Sequence, residues 1–218
     1  MTIHPKMRAC IITTALSITL LALSGCGLVL GRTQQAYHTA VTVTGTPHVS
    51  IETFNGDIEV TTGAADKVSA GVIESAADDT DFDRMEFNFS QEGLNVRGKC
   101  AWSDPNKPSN ATCDLNIQVP AGSDVELVTG NGTITYKAVP GKTLKAAVGN
   151  GNVNVTLPRD AQFTLDAAVG NGKIKSGFDL GDPDAAQKQH VTGAVGDQPG
   201  LSVALRIGNG DITIEPAR

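Results

Sequence analysis

Aromatic side chains are scarce in this chain: one Trp, two Tyr and six Phe among 218 residues. That excludes a thick interior built on packed rings and leaves a core of Val, Ile, Leu and Ala, which suits thin β-rich layers. Histidine is as sparse, with four copies, and none lies at metal-ligand spacing from another His or a Cys. No Ser occupies a Gly-x-Ser-x-Gly elbow. Cationic excess is missing too: 17 basic residues stand against 23 acidic ones. Nothing in this balance favours nucleic acid or an anionic lipid surface, which both need basic patches, and nucleic acid is excluded as a partner. Glycine is abundant, at 24 copies, and the chain is 40% hydrophobic and 18% charged. This composition is too apolar for a disordered chain and allows one domain with a small extension.

Residues 1–25 read as an export leader. Lys6 and Arg8 form a basic start, and residues 9–23 follow without a charge. The run ends in Leu23-Ser24-Gly25-Cys26, which resembles the bacterial lipobox. Ser24 and Gly25 fit a signal peptidase cleft, and the Cys26 thiol is the expected site for diacylglycerol. The competing reading is a transmembrane helix, since the uncharged stretch runs on to Gly31, but Ser, Thr and three glycines dilute it. Each buried methylene is worth about 0.8 kcal/mol, and stable anchoring takes more than one acyl chain, as a diacylated Cys26 with an acylated amine provides. Gly27 stands where, in a Gram-negative host, the lipobox rule puts Asp for inner-membrane retention, so the rule points to the outer membrane. Loss of Lys6 and Arg8 with the leader leaves 15 basic and 23 acidic residues, a formal charge of −8.

Cys10 leaves with the leader and Cys26 is the lipid site, so Cys100 and Cys113 remain as a pair. In an exported protein they are expected to form a disulfide. It would close the polar loop that holds Pro105 and Pro108 and contribute about 3 kcal/mol. A metal site would need further ligands nearby, and no His lies in this segment.

A recurring phrase organises the rest: Asn55-Gly56, Asn131-Gly132, Asn150-Gly151, Asn171-Gly172 and Asn209-Gly210. Successive gaps of 76, 19, 21 and 38 residues lie near multiples of one period of about 19,. The flanks alternate in phase. Ile51, Leu127, Ala146, Ala167 and Leu205 precede each Asn by four, while Ile58, Ile134, Val153, Ile174 and Ile212 follow it by three. Each unit is predicted to be strand, tight corner, strand. The expected fold is all-β, a β-solenoid resembling a parallel β-helix, because regular corners stack above one another and their Asn side chains can form amide ladders. The alternative is an antiparallel β-sandwich or meander, in which Asn-Gly makes hairpins. Residues 26–36 are expected to be a tether and 37–218 the repeat domain, with 179–200 a polar excursion.

These corners, the Val119-Pro120 pair and the lipobox together resemble the bacterial β-strand-repeat putative adhesin family, over roughly residues 41–218. The resemblance implies a β-helical fold and an extracytoplasmic location, and it carries no active site to transfer.

The remaining polar features read as scaffold. His38, His48 and His190 are isolated, and His190 is expected to be solvated in the excursion. The acidic run 78–83 lacks the Gly and distal Glu of an EF-hand loop and reads as a solvated loop. Asp57 and Asp211 occupy matching corner positions, but Thr133, Asn152 and Lys173 intervene, which weakens a carbohydrate-active enzyme on a β-helix. The outward set including Thr135, Asn152, Asn154 and Lys175 reads as an ordinary solvated face. The expectation is a non-enzymatic, lipid-anchored envelope protein presenting a scaffold for adhesion, interaction or envelope structure. It has no cofactor and no metal; its partners are the membrane, through Cys26, and an envelope protein or glycan. The alternatives are that enzyme or a calcium- or ligand-binding periplasmic module.

Overall fold

A computed structural model describes residues 33–77, 79–103, 110–180 and 189–218. The leader, Cys26 and the tether up to residue 32 lie outside the described residues, as do Asp78, Pro105, Pro108 and residues 181–188. The described chain is all-β, with one short 3-10 turn at Asp79–Arg84.

Each Asn-Gly phrase joins two strands in different sheets. The incoming strands are β2 (His48–Asn55), β8 (Ser123–Asn131), β10 (Pro140–Asn150), β12 (Phe163–Asn171) and β15 (Leu201–Asn209). Their outgoing partners are β3 (Ile58–Thr62), β9 (Ile134–Tyr136), β11 (Val153–Leu157), β13 (Ile174–Ser176) and β16 (Ile212–Pro216). All incoming strands share one eight-stranded sheet and all outgoing strands the other. The corners are therefore arches between layers, not the hairpins of the alternative reading. The remaining strands are β1 (Thr33–Thr42), β4 (Lys67–Ala76), β5 (Met85–Glu92), β6 (Asn95–Trp102), β7 (Thr112–Val119) and β14 (His190–Val195). The first strand thus begins at Thr33, and residues 33–36 belong to it rather than to the expected tether.

The two sheets run β1-β4-β7-β3-β9-β11-β16-β13 and β14-β12-β15-β10-β8-β2-β6-β5. In layer terms this is an open two-sheet sandwich. Its middle pairings are parallel, and antiparallel pairings lie toward the ends, where β1, β5 and β14 flank the stack. Inward positions alternate with outward ones along every repeat strand, so Ile51, Leu127, Leu144, Ile134 and Leu205 are almost fully buried in one core. Each such aliphatic contributes about 1.5–3 kcal/mol by leaving water.

The corners stack in register, pairing Asn55 with Asn131, Asn131 with Asn150, Asn150 with Asn209, and Asn209 with Asn171. Their amides form a ladder: the Nδ2 groups of Asn131, Asn150, Asn209 and Asn171 donate in turn to the Oδ1 of Asn55, Asn131, Asn150 and Asn209 at 2.5–2.8 Å. Backbone bonding continues through the bend, with Gly132 N donating to Asn150 O at 3.0 Å and Gly151 N to Asn209 O at 2.9 Å. The inward Thr53 and Thr129 hydroxyls, buried at the first two corners, donate to Cys113 O and Gly56 O. A buried polar group is tolerated where its hydrogen bond is made.

The spatial order departs from simple sequential stacking: the unit at Asn209 sits between those at Asn150 and Asn171. The physical reason lies at the end of the stack. Phe163 on β12 packs edge-on against Phe178 with centroids 5.1 Å apart, and Leu180 lies against Gly193 of β14. These bulky side chains seal an end, so β12 takes the outer place and β15 slots inside it. The excursion is consequently not all loop, since β14 lies within it and pairs antiparallel with β12.

A sixth unit carries no Asn-Gly phrase. β6 lies beside β2 and β7 beside β3, with Cys100 level with Thr53 and Leu115 level with Ile58. The expected Cys100–Cys113 disulfide joins the two strands where the other units have their corner, with Cα atoms 6.6 Å apart.

Candidate functional site

Two places concentrate unusual side chains. The first is a shallow trough of about 810 Å³ across the outer face of the sheet that contains the incoming strands. It arises because the residue before each Asn points outward and is glycine in four of the five units: Gly130, Gly149, Gly208 and Gly170. A Cβ at any of them would lie 2.3–2.5 Å from a carbonyl oxygen of the neighbouring strand, so only glycine fits. In the fifth unit Phe54 takes this position, and its ring packs on Trp102 at 4.4 Å, with the Arg84 guanidinium 5.6 Å from the indole centroid. Arg84 also pairs with Asp81 at 3.0 Å, so that acid from the 78–83 run is held in an ion pair.

Charges near the trough are paired. Lys99 Nζ meets Glu52 at 2.9 Å. At the far end Asp166 is shared between Arg206 and His190, whose Nε2 lies 2.8 Å from Oδ1. Arg206 first, and then His190, hold the Asp166 carboxyl below the usual carboxylate range. His190, expected to be merely solvated, thus ties β14 to β12 across the sheet edge. His38 and His48 are exposed and stand apart from it.

The second place is buried. Glu74 on β4 is directly opposite Cys113 on β7, and its side chain is enclosed with the disulfide. Tyr37 on β1 donates its hydroxyl to Glu74 Oε1 at 2.9 Å. Burial pushes the Glu74 carboxyl above its ordinary range, partly offset by the Tyr37 hydrogen bond. Because the folded value is raised, the stability this group confers is complete below the ordinary carboxylate range and is lost as pH climbs through the raised value. Unfolding free energy should therefore fall from mildly acid toward neutral pH, and Glu74→Gln should flatten that slope. Denaturant titrations of both proteins across that interval would check this; parallel slopes would refute it.

The matching acids of the enzyme alternative do not converge. Asp57 Oδ1 accepts from Thr133 N at 2.7 Å and Asp211 Oδ1 from Lys173 N at 2.9 Å, each bonding the next corner. The units at Asn131 and Asn150 lie between them. Phe54 and Glu74 were missed from sequence. A signal for the first existed, because Phe54 stands where the other four repeats have Gly.

No family profile and no curated protein matches this sequence. Solved structures do resemble it. A putative cell adhesion protein from Clostridium sporogenes superposes with a TM-score of 0.54 at 14% identity, covering 85% of this chain and all of that one. A putative adhesin from Bacteroides fragilis gives a TM-score of 0.32 at 9% identity, over 83% of this chain and 97% of its own. The first likeness extends over the whole of its partner, and at this identity it is a likeness of fold: the stacked two-sheet architecture is shared with the Clostridium sporogenes protein.

Proposed function

We propose that this chain is a non-enzymatic envelope protein, lipid-anchored through Cys26 and displaying a stiff solenoid-like frame for adhesion at the cell surface. The observation that carries this reading is the corner stack, in which five amides and their backbone groups bond from unit to unit. Such a frame holds its outer faces in fixed relation, which suits presentation better than catalysis. The name of the Clostridium sporogenes protein and the lipobox at residues 23–26 support the same reading. In a Gram-negative host Gly27, in place of Asp, supports an outer-membrane position under the lipobox rule.

Two measurements test it. The native protein should partition with membranes and show an acylated Cys26 by mass spectrometry, whereas Cys26→Ser should move it to the soluble fraction. Cells lacking the protein should attach less well to their substratum and regain attachment on complementation. Unchanged attachment, together with reducing ends released from a polysaccharide by the purified chain, would replace this reading with the enzyme alternative.

A further inference from the structure

The spacing of Cys100 and Cys113 offers too few ligands for a metal, but the fold supplies a third. Glu74, 26 residues before Cys100, reaches the pair because β4 runs antiparallel beside β7. One carboxylate oxygen and the two sulfurs all lie within 4.8 Å of one another, and all three residues are buried. We propose that the dithiol form of this protein binds one zinc-class divalent cation through Cys100, Cys113 and Glu74, and that disulfide formation closes the site.

Three observations converge on this. Two sulfurs with one carboxylate form the borderline-soft donor set that zinc and cadmium accept and that calcium and magnesium do not. In the disulfide form two of the donors are bonded to each other; reduction frees both sulfurs to spread toward the roughly 3.3–3.8 Å edges of a tetrahedral zinc site, with the carboxylate oxygen already within 4.8 Å,. Tyr37 donates to Glu74 Oε1, which gives the ligand the kind of outer hydrogen bond that orients carboxylates in metal sites while lone pairs remain for a metal. An acid buried against a disulfide otherwise has no evident structural use, since a glutamine would satisfy Tyr37 equally well.

The chemistry balances with one external reactant, a two-electron disulfide-forming oxidant. The chain is synthesised as a dithiol. Binding M²⁺ displaces one proton from each thiol and the proton of Glu74 where it is held, and the charge of the cation meets three anionic ligands. Oxidation by a disulfide-forming oxidant removes two electrons from the two thiolates, joins the sulfurs and releases the cation. Metal and disulfide are thus mutually exclusive states of one site.

The test uses the full chain in detergent, reduced with a phosphine under anaerobic conditions and titrated with cadmium. Thiolate-to-cadmium absorption should saturate at one equivalent per chain, and the oxidised protein should show none. Glu74→Gln should weaken binding at least tenfold, and Cys113→Ser should abolish the signal. Zinc should raise the melting midpoint of the reduced protein only. The proposal is overturned if the reduced protein takes up no stoichiometric cadmium, whether it stays folded by circular dichroism or not. It is equally overturned if Glu74→Gln binds as tightly as the native chain, or if the oxidised form binds too.

Discussion

Replacing Gly151 with alanine should lower the unfolding free energy by about 4 kcal/mol, combining a strained backbone with an overpacked contact. Gly151 has a φ of +142°, which L-residues rarely adopt, and a Cβ there would stand 1.9 Å from the carbonyl oxygen of Gly132 in the adjacent corner. Neither problem can be relieved locally. Moving the corner outward would break the Gly151 N to Asn209 O bond and the amide contacts of Asn150 on both sides. Gly93 supplies the control: its φ is +60°, but an added Cβ would meet nothing within 4 Å. Alanine there should cost only the left-handed penalty, about 1–2 kcal/mol. Urea denaturation of the two variants separates the contributions, and equal midpoints would show that the stacked corner is not a tight contact.

The second large effect is expected at the sixth unit. Cys100→Ala with Cys113→Ala should cost about 3 kcal/mol, the loop-closure value for a link of this span. For a chain of this size that is a fall of roughly 6–12 °C in melting midpoint. The link spans 13 positions and joins the two sheets where every other unit has a glycine corner. Its loss should therefore loosen β6 and β7 relative to one another rather than the Asn-Gly units. Hydrogen exchange would show the difference: faster exchange in residues 95–102 and 112–119, with 123–157 unchanged. Uniform acceleration across the stack would argue that the disulfide acts only on the unfolded chain.

The repeat strands could be read from sequence because their determinants are local. Alternation around Asn131 and Asn150 specifies which side chains face inward, and Ile134, Val153 and Leu144 are buried as that pattern requires. The register of the corners follows from the same regularity, since identical bends stack without a gap. The exchange of places between the units at Asn171 and Asn209 was not legible. The two phrases are nearly identical, and the packing of Phe178 on Phe163 and of Leu180 on Gly193 that marks the outer unit is not encoded in either phrase. The unit formed by β6 and β7 was hidden for a different reason, because a covalent link and a polar loop replace the phrase that marks its siblings. Glu74 sits in a strand that alternates ordinarily, and only the antiparallel pairing of β4 with β7 brings it to the sulfurs. Asp57 and Asp211 looked like candidate acids because their role, bonding a backbone amide of the next unit, requires knowing which unit is next.

The interleaved order also constrains how the molecule can be made. Residues 201–216, late in the chain, form an interior layer, flanked by β10 and β12 in one sheet and by β11 and β13 in the other. The layers at Asn131 and Asn150 can pair with each other directly, but β12 and β13 gain their parallel neighbours only when β15 and β16 are in place. Assembly therefore cannot advance as a zipper in sequence order, and deletion of residues 201–216 would remove a middle layer and strand the one beyond it.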